Sequence, residues 1–325
     1  MMHDSISTFT QVLKTQAVSL GFSTIGISSV EPLEREGKQL KDWLSNGYHG
    51  SMQWLGQNVD RRLNPILVFS ESQSVIIVAM NYWTGDHQPE NPQYGRISRY
   101  AWGMDYHCVL REKLTQLLQW MQQQDSSIRG KIYVDSGPLL EKAWAVRSGL
   151  GWRGKNTVII SKNQGSYLFL GVILSNIPLV YDQLIPDYCG TCTRCIDACP
   201  TGAIVAPYIL DASKCISYLT VEHRGEIPNN YHAALGNWIF GCDICQEVCP
   251  WNRFTQKTNV KEFYPKNGLL STLLSQWSNL TEEEFKIRFM NSPIARTKYR
   301  GFIRNSTIAL ENAKHNHSIL LGFNT

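Results

Sequence analysis

The chain has 325 residues, 43% of them hydrophobic and 18% charged, with a formal net charge of +4. That balance describes a folded globular chain of about two domains and excludes a mainly disordered or fibrous one. The small net charge identifies no partner, and the most apolar stretch, Tyr167 to Tyr181, is broken by Ser175 and Asn176 and falls short of the ~20 residues a bilayer requires.

Met1 to Thr10 carries acidic and polar residues where a secretory signal needs a basic start and an apolar run, so a cytoplasmic chain without a membrane partner is expected. Ser5 to Leu20 has helical spacing behind a serine cap, and Phe22 to Ile27 alternates like a strand. Ser74 to Met80 is a short apolar run suited to a buried strand. Leu110, Leu114, Leu117, Leu118 and Met121 mark one face of a helix. Lys131 to Val134 and Ser166 to Leu174 read as further strands, with a helix expected over Gly137 to Ser148 between them. This part of the chain is therefore mixed α/β.

The segment Gly149 to Lys155 satisfies G-x-G-x-x-G, but it follows a helical stretch and precedes the strand-like Thr157 to Ile160. A dinucleotide fingerprint does the reverse, following a strand and opening a helix. A glycine-rich helix stop with close backbone packing is the better reading. With no nicotinamide or flavin fingerprint, electrons are expected from an external donor.

Composition changes near Leu184 to Asp187, and eight of the nine cysteines follow, between Cys189 and Cys249; only Cys108 lies outside. Cys189, Cys192, Cys195 and Cys199 are spaced C-x2-C-x2-C-x3-C before Pro200, the run that wraps a cubane iron-sulfur cluster. Cys242, Cys245 and Cys249 repeat C-x2-C-x3-C before Pro250, with Cys215 upstream. In two-cluster ferredoxins the fourth cysteine of such a run serves the other cluster. The expected sets are therefore Cys189, Cys192, Cys195 with Cys249, and Cys215, Cys242, Cys245 with Cys199. All-thiolate zinc is the plainer alternative, disfavoured by the two C-P endings. Two adjacent clusters conduct single electrons, and the domain before them must hold what they feed. From Lys286 onward seven Lys or Arg stand against one Glu311, a basic tail suited to nucleic-acid phosphates or to a solvated helix face.

Several motifs together resemble the epoxyqueuosine reductases, cobalamin-dependent iron-sulfur enzymes of tRNA modification. They are Ser98-Arg99-Tyr100-Ala101 with Gly103, Asp105-Tyr106-His107, Val134-Asp135-Ser136, Leu140-Glu141-Lys142, Gly149-Leu150-Gly151-Trp152 and Gly154-Lys155-Asn156-Thr157. The cysteine runs, Cys215 to Glu222 and Asp243 to Gln246 complete the match. Arg153 departs from it, standing where an apolar residue is expected, and Ser292 to Ala313 resembles the start of a HEAT-like repeat.

The resemblance implies an α+β chain: a cobalamin-binding domain over residues 1–184, a two-cluster ferredoxin-like domain over 185–255, and a helical basic segment over 256–325. It implies two [4Fe-4S] clusters and cobalamin as cofactors. The implied reaction reduces epoxyqueuosine to queuosine in the tRNA anticodon, by a monomer. Asp135 is the implied proton donor, and Ser217, Tyr218 and Asp243 are implied neighbours of the corrin. His107 and His223 are candidate cobalt ligands, with ordinary hydrogen bonding as the plainer reading. A corrinoid reductive dehalogenase and a ferredoxin-type carrier without chemistry of its own are the alternatives.

Overall fold

The computed structural model describes residues 2–322, so Met1 and residues 323–325, the ends of the first and last expected segments, lie outside the described residues. A four-stranded sheet organises the first half, in the order Thr24–Ser29, Ser74–Asn81, Leu168–Ser175, Gly130–Tyr133, and every neighbouring pair is antiparallel. The strand Ser74–Asn81 is buried along its whole length. Ile76, Val78 and Met80 face the helices Met2–Ser19 and Tyr106–Gln124, while Val75, Ile77 and Ala79 face Leu33, Trp144 and Ala145. Burial on both faces is why the sequence there is a continuous apolar run without polar alternation. Among the described residues no helix is long and apolar enough to cross a membrane.

The helix expected over Gly137 to Ser148 spans only Glu141–Arg147. Pro138 has no N–H to donate and Gly137 sits tightly against the ring of Tyr133, so residues 135–140 remain a loop. Gly149, at φ +68°, ends this helix, and a Cβ on Gly151 would lie 2.3 Å from the Ile160 carbonyl. The G-x-G-x-x-G segment is therefore a helix stop leading into the hairpin of Trp152–Arg153 with Ile159–Ile160.

The cysteine-rich segment holds the one-turn helices Arg194–Asp197 and Ile244–Glu247, which carry Cys195 and Cys245. It is stitched to the first half by a short parallel pairing of Arg96–Ile97 with Trp238–Phe240. The helices Leu274–Ser278, Glu282–Phe289 and Lys298–Gly322 close over that pairing, burying Trp102, Phe240, Trp277 and Phe302 in one core.

Candidate functional site

A cavity of about 490 Å³ lies between the sheet domain and the cysteine segment. That volume falls in the range of small-molecule and cofactor pockets. One wall carries Tyr106, Asp135, Glu141 and Lys142, and the opposite elements contribute Cys199, Cys215, Ser217, Cys242 and Cys245. Phe169, Leu170, Val158 and Ile204 supply apolar surface between them.

The eight thiols fall into two groups by mutual electrostatic contact. Cys195 feels Cys189, Cys249 and Cys192, whereas Cys245 and Cys242 both feel Cys215, and Cys215 feels Cys199. Cys245 also feels Cys195 and Cys199, so the two groups adjoin. Burial and this crowding push the thiols of Cys189, Cys195, Cys215, Cys242, Cys245 and Cys249 up. Such a set of thiolates needs a cationic centre to be stable, which iron supplies.

The loops that carry these thiols are held by residues the sequence reading left without a role. Lys155 is buried, and its Nζ donates to the carbonyls of Gly190 at 2.7 Å and Cys192 at 3.0 Å. Asn156 Nδ2 donates to the Cys245 carbonyl at 3.3 Å. The signal was present in Gly154-Lys155-Asn156-Thr157, since a lysine and an asparagine in the turn between two short strands are free to reach neighbouring loops.

Asp135 lies two residues beyond the edge strand, with φ +56°, an uncommon conformation for a residue with a side chain. Its backbone N–H donates to Glu141 Oε1 at 2.6 Å, and its side chain, 65% exposed, faces the cavity. Its carboxylate does not cap the next helix, which starts at Glu141 with Leu140 before it.

His107 bridges two carboxylates: Nδ1 meets Asp105 at 2.7 Å and Nε2 meets Asp135 at 3.3 Å. Burial lowers its proton affinity, but hydrogen bonds to Asp105 and Asp135 outweigh that and push it up to about 9. The hydrogen bond from His107 holds Asp135 below the usual carboxylate range, against the effect of burial. Within this pair the proton resides on the histidine. Glu141, crowded by burial and by the charge of Asp135, is pushed up to about 8. Tyr106 stacks on His107 at 4.1 Å and on Phe169 at 4.3 Å, fixing the imidazole against the sheet.

Of the other implied site residues, Ser217 lines the cavity. Tyr218 lies one layer behind it, where its hydroxyl donates to Ser51 Oγ and accepts from the Ser51 N–H, both at 2.7 Å. Asp243 is fully buried, accepting from Ser98 Oγ and from the Arg99 N–H at 2.8 Å. Neither Tyr218 nor Asp243 is on the cavity wall: a hydroxyl and a carboxylate so engaged brace the segments beneath it. His223 Nε2 is held at 2.9 Å from the Glu226 carbonyl, the plainer of its two expected roles.

In the basic tail, Arg296 pairs with Glu222 at 2.8 Å, and Arg304 donates to the carbonyls of Leu219, His223 and Gly225. These two arginines join the tail to the helix Ile216–Val221. Lys298 and Arg300 are exposed at its start.

Residues 62–136 match a family model described as "Epoxyqueuosine reductase QueG, DUF1730", and residues 188–252 match one described as "4Fe-4S double cluster binding domain". An epoxyqueuosine reductase of Cellulophaga algicola is 43% identical over 90% of this chain and 95% of its own length. A crystal structure of an epoxyqueuosine reductase with an epoxyqueuosine-modified tRNA-Tyr stem loop matches with a TM-score of 0.89 and 33% identity, covering 94% of this chain and 82% of that one. The Bacillus subtilis enzyme, with a catalytic aspartate loop swung out of its active site, matches with a TM-score of 0.87 and 33% identity over the same shares.

Proposed function

The chain belongs to the epoxyqueuosine reductase family, and from that premise we propose that it reduces epoxyqueuosine to queuosine at the wobble position of tRNA. The proposed enzyme is a cytoplasmic monomer with the division 1–184, 185–255 and 256–325. Deoxygenation of the epoxide takes up two electrons and two protons, breaks both C–O bonds, leaves a ring double bond and releases the oxygen as water.

The observation that carries this reading is one cavity with four clustered thiols on one side and, on the other, the Asp135 carboxylate backed by His107. Cys189, Cys192, Cys195 and Cys249 hold one [4Fe-4S] cluster, and Cys199, Cys215, Cys242 and Cys245 hold the second, which borders the cavity. The cavity's apolar wall and adjoining cluster ligands suit one face of a cobalamin, a group bulkier than the cavity itself, which when bound would supply the reducing metal chemistry that activates the epoxide. Ser217, on the cavity wall, would contact that cofactor, while Tyr218 and Asp243 set the segments behind it.

The protein's own share is proton delivery. Asp135 presents a carboxylate to the cavity, and His107, protonated at neutral pH, reloads it across the 3.3 Å contact. Asp105 holds the far nitrogen, so the imidazole keeps its orientation as the proton leaves. Glu141, raised to about 8, places a second proton beside the same loop. A pure electron carrier has no use for such a pair.

Anaerobic purification with iron and cobalt quantification tests the cofactor assignment. The expected content is about eight irons, with about one equivalent of cobalt retained after cobalamin is supplied. Full iron with no affinity for cobalamin would support the carrier reading instead.

A further inference from the structure

A separate groove of about 1380 Å³ opens beside the other thiol set, with Cys249 in its wall. Four arginines line it: Arg96, Arg99, Arg194 and Arg253. Arg99 is 7% exposed, clamped with its guanidinium 4.7 Å from the ring centre of Trp83 and 5.0 Å from that of Trp102. Only its Nη2 reaches a carboxylate, Glu247 at 3.4 Å, while Nε and Nη1 are buried without an acceptor. Arg96 Nε and Gln88 Nε2, in the same groove, are also buried and unpartnered.

A buried cationic donor left unpaired is costly, so convergent ones indicate where an anionic group binds. The groove's own acids do not fill that place. Glu247 is already held by Arg96 at 2.9 Å and by Arg99, and Asp197 accepts from Thr193 at 2.7 Å. Glu90 is exposed, as are Arg194, Arg253 and His87.

We propose that this groove docks an acidic one-electron carrier protein, whose surface carboxylates pair with Arg96, Arg194 and Arg253 over the buried charge of Arg99 and whose redox centre reduces the cluster bound by Cys249. The proposal rests on the reductase reading above and assigns its point of electron uptake. One thiol set borders the reaction cavity, so electrons must enter at the other, and Cys249 is the ligand of that set which the groove contains. Clusters accept electrons singly, which suits a protein carrier rather than a hydride donor. Arginines at the rim, Arg194 and Arg253, would steer an acidic partner to the site.

The test compares two reductants on the fully loaded enzyme: a dithionite-reduced viologen, which needs no docking, and a reduced acidic ferredoxin or flavodoxin. Arg194→Gln/Arg253→Gln and Arg96→Gln are the variants; Arg99, wedged in the core, is left intact. Carrier-driven kcat/KM should fall about tenfold or more and lose salt dependence, with viologen-driven turnover, cluster content and tRNA affinity as in the parent. Equal loss with both reductants, unchanged carrier-driven turnover, or a parent that accepts no electrons from either carrier would overturn the proposal. Weakened tRNA binding would assign the groove to nucleic acid instead. Absence of viologen-driven epoxyqueuosine reduction in the parent would mark failure of the reductase reading itself.

Discussion

Replacing Asp135 with Asn keeps size, shape and an acceptor for His107 Nε2, and removes only the acidic proton site. The structure sets the expected size of the effect. His107 is raised from an ordinary 6.5 to about 9 by its two carboxylates, worth about 3 kcal/mol of proton affinity before solvent screening at a ring 31% exposed reduces it. Parent turnover should therefore be level through neutrality and decline as pH rises through about 9, where His107 loses its proton. The pair's stability follows the same sign. The folded value lies above the unfolded one, so its contribution is complete below about 6.5 and is lost as pH rises through about 9. In Asp135→Asn, with clusters and cobalamin retained, turnover of epoxyqueuosine tRNA should drop by about two to four orders of magnitude, the range for losing a general acid. The assay is single-turnover nucleoside analysis across pH 6 to about 10. Near-parental rates in the fully loaded variant, or a parental profile with no alkaline limb, would refute proton delivery through this pair.

Four further outcomes are expected. Asp105→Asn removes one of the two carboxylates that raise His107, so the alkaline limb of the rate should move toward neutral pH; an unmoved limb would detach Asp105 from the relay. Cys249→Ser should damage the cluster on Cys189, Cys192 and Cys195 and spare the one on Cys215, Cys242 and Cys245, and electron paramagnetic resonance showing the reverse would exchange the two sets. Lys298→Gln/Arg300→Gln should weaken tRNA binding and flatten its salt dependence while leaving the fold intact. Arg304→Gln should instead lower thermal stability, because its guanidinium bonds three carbonyls; unaltered melting would mean those bonds are dispensable.

What was legible in the sequence was local. The cysteine runs declare themselves because cubane ligation is a matter of residues three or four apart. The buried strand Ser74–Asn81 and the face of Tyr106–Gln124 were equally readable, since each element's burial is written in its own periodicity. The glycine-rich segment could be read correctly because only its order relative to helix and strand mattered.

What was not legible depended on partners distant in the chain. Arg96–Ile97 and Trp238–Phe240 are too short to signal strands, and only their pairing makes them so. Asp135 was visible as a candidate, but the direction of its shift depends on His107, 28 residues away. Arg296 and Arg304 looked like equal members of a basic run, and only tertiary contacts distinguish them from Lys298 and Arg300. The same holds for Tyr218, whose anchor, Ser51, lies 167 residues earlier.

The most direct test of the central claim is mass spectrometry of nucleosides from epoxyqueuosine-containing tRNA after anaerobic incubation with the reconstituted protein, cobalamin and a reductant. The expected result is loss of a single oxygen from the modified nucleoside, yielding queuosine only when cobalamin and reductant are both present. Epoxyqueuosine left intact by protein carrying its full iron and bound cobalamin would contradict the assignment.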